Sequence, residues 1–366
     1  MKRMNRIIAF CFSVERAAGL ASAILVALAG CQAGSANRSA RFVPVSFDAD
    51  RAGVRFTVQG DLARQLPTYR RVTRIEEFLY GPGDTAPPVV RNPQGMTLLG
   101  EELLVCDQGR PDIVAINLAT GRARLWADPD HPPYCPVDVT ASDTSVFVAD
   151  TTAHAVIEYD VGGAFVGQLK PDDGGAFMPV AVLWHDGVLY VADIARRAVR
   201  RWDTGDRRWA ATLAQAGSDL TLAAPVGLAM TADAKLLIAD ALRAVVFVAP
   251  VDGGAWTVIG SRGRGVGQLV RPKQVAVTRG GLVCVTDAGR QSVQVYDAGG
   301  GHVIEIHDLP NAWRGFTLPF GVIGGVNFGG PSAQAVAGAG DGLVVSDILG
   351  APTLVAISVT EGVGEP

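Results

Sequence analysis

The sequence predicts an all-β protein, a six-bladed β-propeller of four-stranded blades. Three observations lead there. A Pro opening an apolar strand recurs at Pro93, Pro136, Pro179, Pro225, Pro272 and Pro319, at spacings of 43, 43, 46, 47 and 47 residues. An apolar run ending in Asp follows each, closing at Asp107, Asp150, Asp193, Asp240, Asp287 and Asp347, with Pro-to-Asp distances of 14, 14, 14, 15, 15 and 28. Glycine supplies 44 of 366 residues, about 12% against a usual ~7%, as a chain with many tight turns requires. No helical period appears in residues 93–358, which sets aside the two α/β domains that length alone would allow.

The N-terminus comes first in chain order. Lys2, Arg3 and Arg6 precede an apolar stretch from Ala17 to Ala29, too short to span a bilayer and suited to the core of an export signal. It ends in Leu28-Ala29-Gly30-Cys31, which resembles a bacterial lipobox. The resemblance implies that residues 1–30 are a lipoprotein signal peptide and that Cys31 is lipidated. Gln32 after it is similar to lipoproteins sent to the outer membrane of Gram-negative bacteria, so the expected location is exported and lipid-anchored there. Residues 31–52 are read as the lipidated Cys and a flexible tether, and 53–366 as the propeller. Residues 1–30 carry a net +3, from Lys2, Arg3, Arg6 and Arg16 against Glu15, so the formal charge of −4 becomes −7 without them. That acidity argues against a nucleic-acid partner.

Within each unit a third strand follows the Asp: DIVAINL, AVIEYD, AVRRWD, AVVFVAP, SVQVYD and TLVAIS. Turn residues and a fourth strand come next, giving about 45 residues per unit. The sixth unit stops after three strands. Its missing outer strand is expected from Arg71–Tyr80 (RVTRIEEFLY), so that the chain ends close the ring and remove the open edge. Gly95, Ala181, Gly227 and Gly321 each sit two places after their Pro, where inner strands crowd the axis.

The pattern P-x-G-apolar followed by an apolar run and Asp, as in Pro225-Val226-Gly227-Leu228 with Leu237-Ile238-Ala239-Asp240, resembles NHL repeats. The resemblance covers about 265 of 366 residues. A Gly/Ala-rich insertion from Asn327 to Gly342 departs from it, as does the lack of the Asn-His or Asn-Arg that often follows the Asp.

Strand order places every Pro end, Asp turn and inter-blade loop on one face, the loop face. The ring of Asp there reads either as a cation site or as acceptors for each turn's own backbone N–H groups. Recurrence in every unit favours the second. Arg110, Arg196, Arg243 and Arg290 stand three places after their Asp, with His154 and Arg197 one place further on; they read as a basic rim for an anionic group. Gln94, Asp138, Lys273 and Gln274 are polar near the axis where sibling repeats carry Val, Gly, Ala or Phe, so they are candidate ligand contacts. Cys106 and Cys135 fall on the loop face of adjacent blades and could bridge outside the cytoplasm, or stay as separate thiols. Asp128, Asp130 and His131 share a loop, but the His residues, with His185, His302 and His307 placed elsewhere, form no metal-spaced set.

No G-x-S-x-G, P-loop or H-E-x-x-H occurs. The expected function is a monomeric binding or scaffold propeller that presents its loop face to a protein, peptide or glycan of the cell envelope and needs no cofactor. The alternative is a metal-dependent hydrolase or lyase at the central tunnel, similar to lactonases or peptidyl-hydroxyglycine amidating lyases, using calcium or zinc. The metal-ligand patterns of both families lack matching positions here, and Asp138 is the strand-one acid nearest the axis in the first five units.

Overall fold

A computed structural model describes residues 45–49, 54–61, 90–118, 122–171, 173–213, 221–307, 319–323, 341–347 and 354–361. Every described strand lies in the unit Phe42–Pro366. The signal segment, Cys31 and Arg71–Tyr80 fall outside the described residues.

Strand β1 is Val45–Ala49 and β2 is Val54–Asp61. The first repeat holds β3 Pro93–Leu99, β4 Glu102–Asp107, β5 Asp112–Asn117 and β6 Ala123–Leu125. The second holds β7 Pro136–Ala141, β8 Ser145–Asp150, β9 Ala155–Asp160 and β10 Phe165–Leu169. The third holds β11 Pro179–His185, β12 Val188–Asp193, β13 Ala198–Asp203 and β14 Arg208–Ala210. The fourth holds β15 Pro225–Met230, β16 Lys235–Asp240, β17 Val245–Pro250 and β18 Thr257–Ile259. The fifth holds β19 Pro272–Val277, β20 Val283–Asp287, β21 Ser292–Tyr296 and β22 His302–Ile306. Then come β23 Pro319–Ile323, β24 Asp341–Asp347 and β25 Leu354–Glu361.

These strands make an all-β propeller with five four-stranded antiparallel blades, where the sequence led us to expect six. The remaining sheet has five strands in the order β1-β2-β25-β24-β23. Its outer part corrects two expectations. The strand beside β25 is β2, in register from Val54 opposite Glu361 to Asp61 opposite Val355, rather than Arg71–Tyr80. And β1, expected in the tether, extends the same sheet by pairing with β2. The physical reason is a match of length and pattern. Val54-Arg55-Phe56-Thr57-Val58 alternates strictly, and β2 and β25 are both eight residues long.

The second strand of each blade shows why the sheets stack face to face. Leu103, Leu104, Val105 and Cys106 are all buried. Leu103 and Val105 pack in a cluster that reaches Val344 of the five-stranded sheet, while Leu104 and Cys106 pack against Val139, Val148 and Ile157 of the second blade. A period of two thus serves two neighbours at once. Equivalent clusters join blades two to three, three to four, four to five, and five to the five-stranded sheet. The unit therefore carries its own core. Inner strands contact one another in the circuit β3, β7, β11, β15, β19, β23 and back to β3.

Candidate functional site: the axis and the loop face

Every inner strand has a register shift just after its Pro. Such bulges free backbone N–H groups from the ladder and re-aim side chains. The position two places after the Pro faces the axis region. Gly95, Ala181, Gly227 and Gly321 are small there, while Asp138 and Gln274 are the two polar members. At Gly95 an added Cβ would stand 2.7 Å from Asp138 Cα, and at Gly227 it would stand 2.6 Å from the Lys273 carbonyl oxygen. Glycine is required at both because neighbouring backbones approach so closely.

Asp138 and Gln274 meet. The Gln274 Nε2 donates to Asp138 Oδ2 at 3.2 Å. Strands β7 and β19 stand three places apart in the circuit of inner strands, so this bond crosses the axis. Each side chain also caps a bulge. Asp138 Oδ2 accepts the Val182 N–H at 3.0 Å, and Gln274 Oε1 accepts the Leu228 N–H at 3.0 Å. Burial pushes the Asp138 carboxyl up to about 7, against the opposing pull of the Val182 N–H, the Val139 N–H and Gln274. Gln94 is buried and donates to Asn92 Oδ1 at 3.0 Å, on the loop side of the same region. Burial pushes the Lys273 ammonium down, with the Arg271 charge adding to the effect. The four polar residues picked from the sequence thus separate: Asp138 and Gln274 form one cross-axis link, and Gln94 and Lys273 lie one place nearer their Pro residues.

The Asp ring is a set of turn staples in the five four-stranded blades. Asp107, Asp150, Asp193, Asp240 and Asp287 are fully buried. Asp150 accepts from Tyr134, Cys135, Thr152 and Ala153 N–H groups at 2.6–3.0 Å. Asp287 likewise accepts from Val270, Arg271, Gly289 and Arg290 at 2.7–3.1 Å. Each carboxylate ties its own turn to the residues entering the same blade. The fourth place after the Asp holds a left-handed backbone at His154, Arg197, Ala244 and Gln291, with φ of 49°, 53°, 57° and 59°. Among the described residues no group of three His, Cys, Asp or Glu could hold a metal.

The basic rim is engaged in structure. Arg196 forks onto Asp173 at 2.7 and 2.5 Å and donates to the Ala176 carbonyl at 2.9 Å. Arg243 donates to the Thr221 carbonyl and hydroxyl at 3.1 and 2.8 Å. Arg290 forks onto Glu305 at 2.9 and 2.5 Å and reaches the Gly265 carbonyl at 3.1 Å. Burial would raise the Glu305 carboxyl, yet bonds from Arg290 and Ser292 hold it down at about 2. Arg110 is half-buried beside its own turn. The Arg196, Arg243 and Arg290 guanidinium groups strap the entry loops to the Asp turns. His154 does the same through Nδ1, 3.1 Å from the Phe177 carbonyl, while its residue stays exposed.

Of the two readings left open for Cys106 and Cys135, the structure has separate thiols. Cys106 is wholly buried in the interface between blades one and two, where burial pushes its thiol up. Cys135 Sγ accepts from Gln108 Nε2 at 3.2 Å instead. In the Asp128–His131 loop, Asp128 accepts the Asp130 and Phe165 N–H groups, and His131 stacks on Phe165 at 4.4 Å.

Sequence reasoning missed the exposed apolar residues of the loop face. Tyr134 is 67% exposed, Met178 36%, Leu242 63% and Val266 85%. Each lies just before a strand-one Pro, just after an Asp, or in an entry loop. Comparison between repeats held part of the signal for Leu242: the same place after the Asp carries Gly109, Thr152, Ala195 and Gly289 in the other four-stranded blades, though Leu349 in the sixth repeat.

Comparison with solved structures identifies the class as β-propeller. A gluconolactonase of Xanthomonas campestris superposes with a TM-score of 0.56 at 13% identity, over 86% of this chain and 94% of that one. A second structure, described as a putative gluconolactonase, gives 0.53 at 15% over 74% and 89%. Virginiamycin B lyase from Staphylococcus aureus gives 0.52 at 14% over 73% and 83%. At these identities the likeness is one of fold. No family profile matches the chain, and no curated protein matches it in sequence.

Proposed function

We propose that this protein is an exported, lipid-anchored binding propeller of NHL type, with the five-stranded sheet as its sixth blade. It presents the loop face of its second and third repeats to a protein, peptide or glycan partner in the cell envelope. One observation carries the reading. Tyr134 and Met178 stand exposed on that face beside exposed His154, while the axial Asp138–Gln274 pair and the Arg196, Arg243 and Arg290 guanidinium groups are already bonded internally. An aromatic ring and a thioether at an exposed, rigidly stapled turn are the residue types that dominate contact energy in interfaces. Capture from native membranes by the tethered protein tests it. The expected result is one partner retained by wild type and lost with Tyr134→Ser plus Met178→Ser. Retention of the same partner by the double variant would overturn the reading.

A second reading is catalysis at the axis. The lyase and lactonase neighbours favour it, and so does a carboxyl at Asp138 poised near neutrality. Stoichiometric zinc or calcium in the purified protein would shift the balance toward it.

A further inference from the structure

The entry loop between the fourth and fifth repeats, Ser261–Leu269, is a rigid protrusion. Arg262 bridges Leu269, the Leu269 N–H donates to the Ser261 carbonyl at 2.7 Å, and the Gly263 N–H to the Leu269 carbonyl at 2.9 Å. The Gln268 side chain folds inside and accepts the Gly265 N–H at 2.8 Å. Side chains fix the loop from both flanks. Arg262 donates to the Leu242 carbonyl, Arg264 to the Gly289 carbonyl at 3.2 Å, and Arg290 to the Gly265 carbonyl at 3.1 Å.

The tip of this loop is Val266, the most exposed large apolar side chain among the described residues, and Leu242 stands at its base. Around them lie Arg243, Arg262, Arg264 and Arg271, all exposed. Among the described residues none of these four meets a carboxylate at ion-pair distance; the three with side-chain bonds use neutral oxygens. The acids nearby are spent: Asp240 and Asp287 on backbone N–H groups, Glu305 on Arg290. Two apolar side chains therefore project from a ring of positive charge on a chain whose formal charge is negative.

We propose that this edge contacts an anionic phospholipid surface, with Val266 and Leu242 entering the headgroup layer and the positive charge of Arg243, Arg262, Arg264 and Arg271 attracted to the lipid phosphates. A projecting tip favours a soft surface it can enter over a folded partner, which would need a matching pocket. The charge acts whether or not a guanidinium also holds a carbonyl, and each basic group near an anionic leaflet strengthens binding about fivefold. The inference does not depend on the docking reading, which uses Tyr134 and Met178, nor on lipid at Cys31.

Co-sedimentation of the unit Phe42–Pro366 with vesicles tests it. Binding is expected on equimolar phosphatidylglycerol and phosphatidylcholine, falling with added salt, and little on phosphatidylcholine alone. Val266→Asp and Arg271→Glu should each lower binding about tenfold, from lost apolar burial and reversed charge respectively. Lys235→Glu, on the opposite face, and Tyr134→Ser should leave it unchanged, and thermal melting confirms that each variant folds. Absence of binding by the folded unit, or indifference to both edge variants, would overturn the inference. So would dependence of partner capture on Val266 with vesicles ignored, since the edge would then belong to a protein interface. Partner capture kept by Tyr134→Ser plus Met178→Ser with vesicle binding intact would sink the docking reading alone; capture lost in that variant while the wild-type unit ignores vesicles would sink this inference alone.

Discussion

Asp138 is where single-residue chemistry matters most. Its carboxyl is pushed up to about 7 in the folded state, above an ordinary value of 3.8. A raised carboxyl pKa means the folded state holds the proton more tightly, so stability falls as pH rises through that window and the loss is complete above about 7. Asp138→Asn removes the charge while keeping an oxygen for the Val182 N–H. Relative to wild type the variant should gain stability between about pH 4 and pH 8, by up to about 4 kcal/mol, read from denaturant midpoints. A gap that does not change with pH would place the ionised carboxylate in better company than its buried, cross-axis position implies. In the Asp ring the carboxylate is worth its hydrogen bonds. Asp240 accepts four backbone N–H groups, two from its own turn and two from the residues entering the blade, so Asp240→Ala should cost at least about 3 kcal/mol. Arg197 occupies the left-handed region at φ 53° and is exposed, so Arg197→Gly should raise stability by about 1 kcal/mol.

At the scale of elements, closure depends on β2. Truncation before residue 62 would strip β25 of its partner and leave a bare apolar edge, so aggregation on expression is expected; truncation at residue 41 should leave a monomer with unchanged melting. Size-exclusion chromatography distinguishes the two. The blades were legible because each strand-one Pro and strand-two Asp performs a fixed structural task, so their spacing repeats. The closing strand was not, because the Gly81-Pro82-Gly83 turn pointed to Arg71–Tyr80, while the alternation of Val54 to Val58 went unread. The axial pair was half legible. Asp138 and Gln274 stood out as polar among small siblings, but their bond depends on ring geometry that joins residues 136 positions apart. The rim arginines misled because a guanidinium three places after an Asp serves a strap as readily as a ligand, and only the carbonyls of Ala176, Thr221 and Gly265 tell which.

Across the whole molecule, the two ends of the ring differ in task. The loop face carries the stapled turns, the exposed Tyr134 and Met178, and the projecting Val266 edge. The opposite face carries the hairpin turns, with Asp143, Asp186, Asp233 and Asp252 exposed. A binding function through one face predicts an asymmetry that can be read in living cells. A photo-crosslinking amino acid placed at Tyr134 and, separately, at Asp252 in the full chain compares the two faces directly. A discrete, recurring adduct is expected from Tyr134 and none from Asp252. Adducts from Asp252 alone, or none from either position, would contradict it.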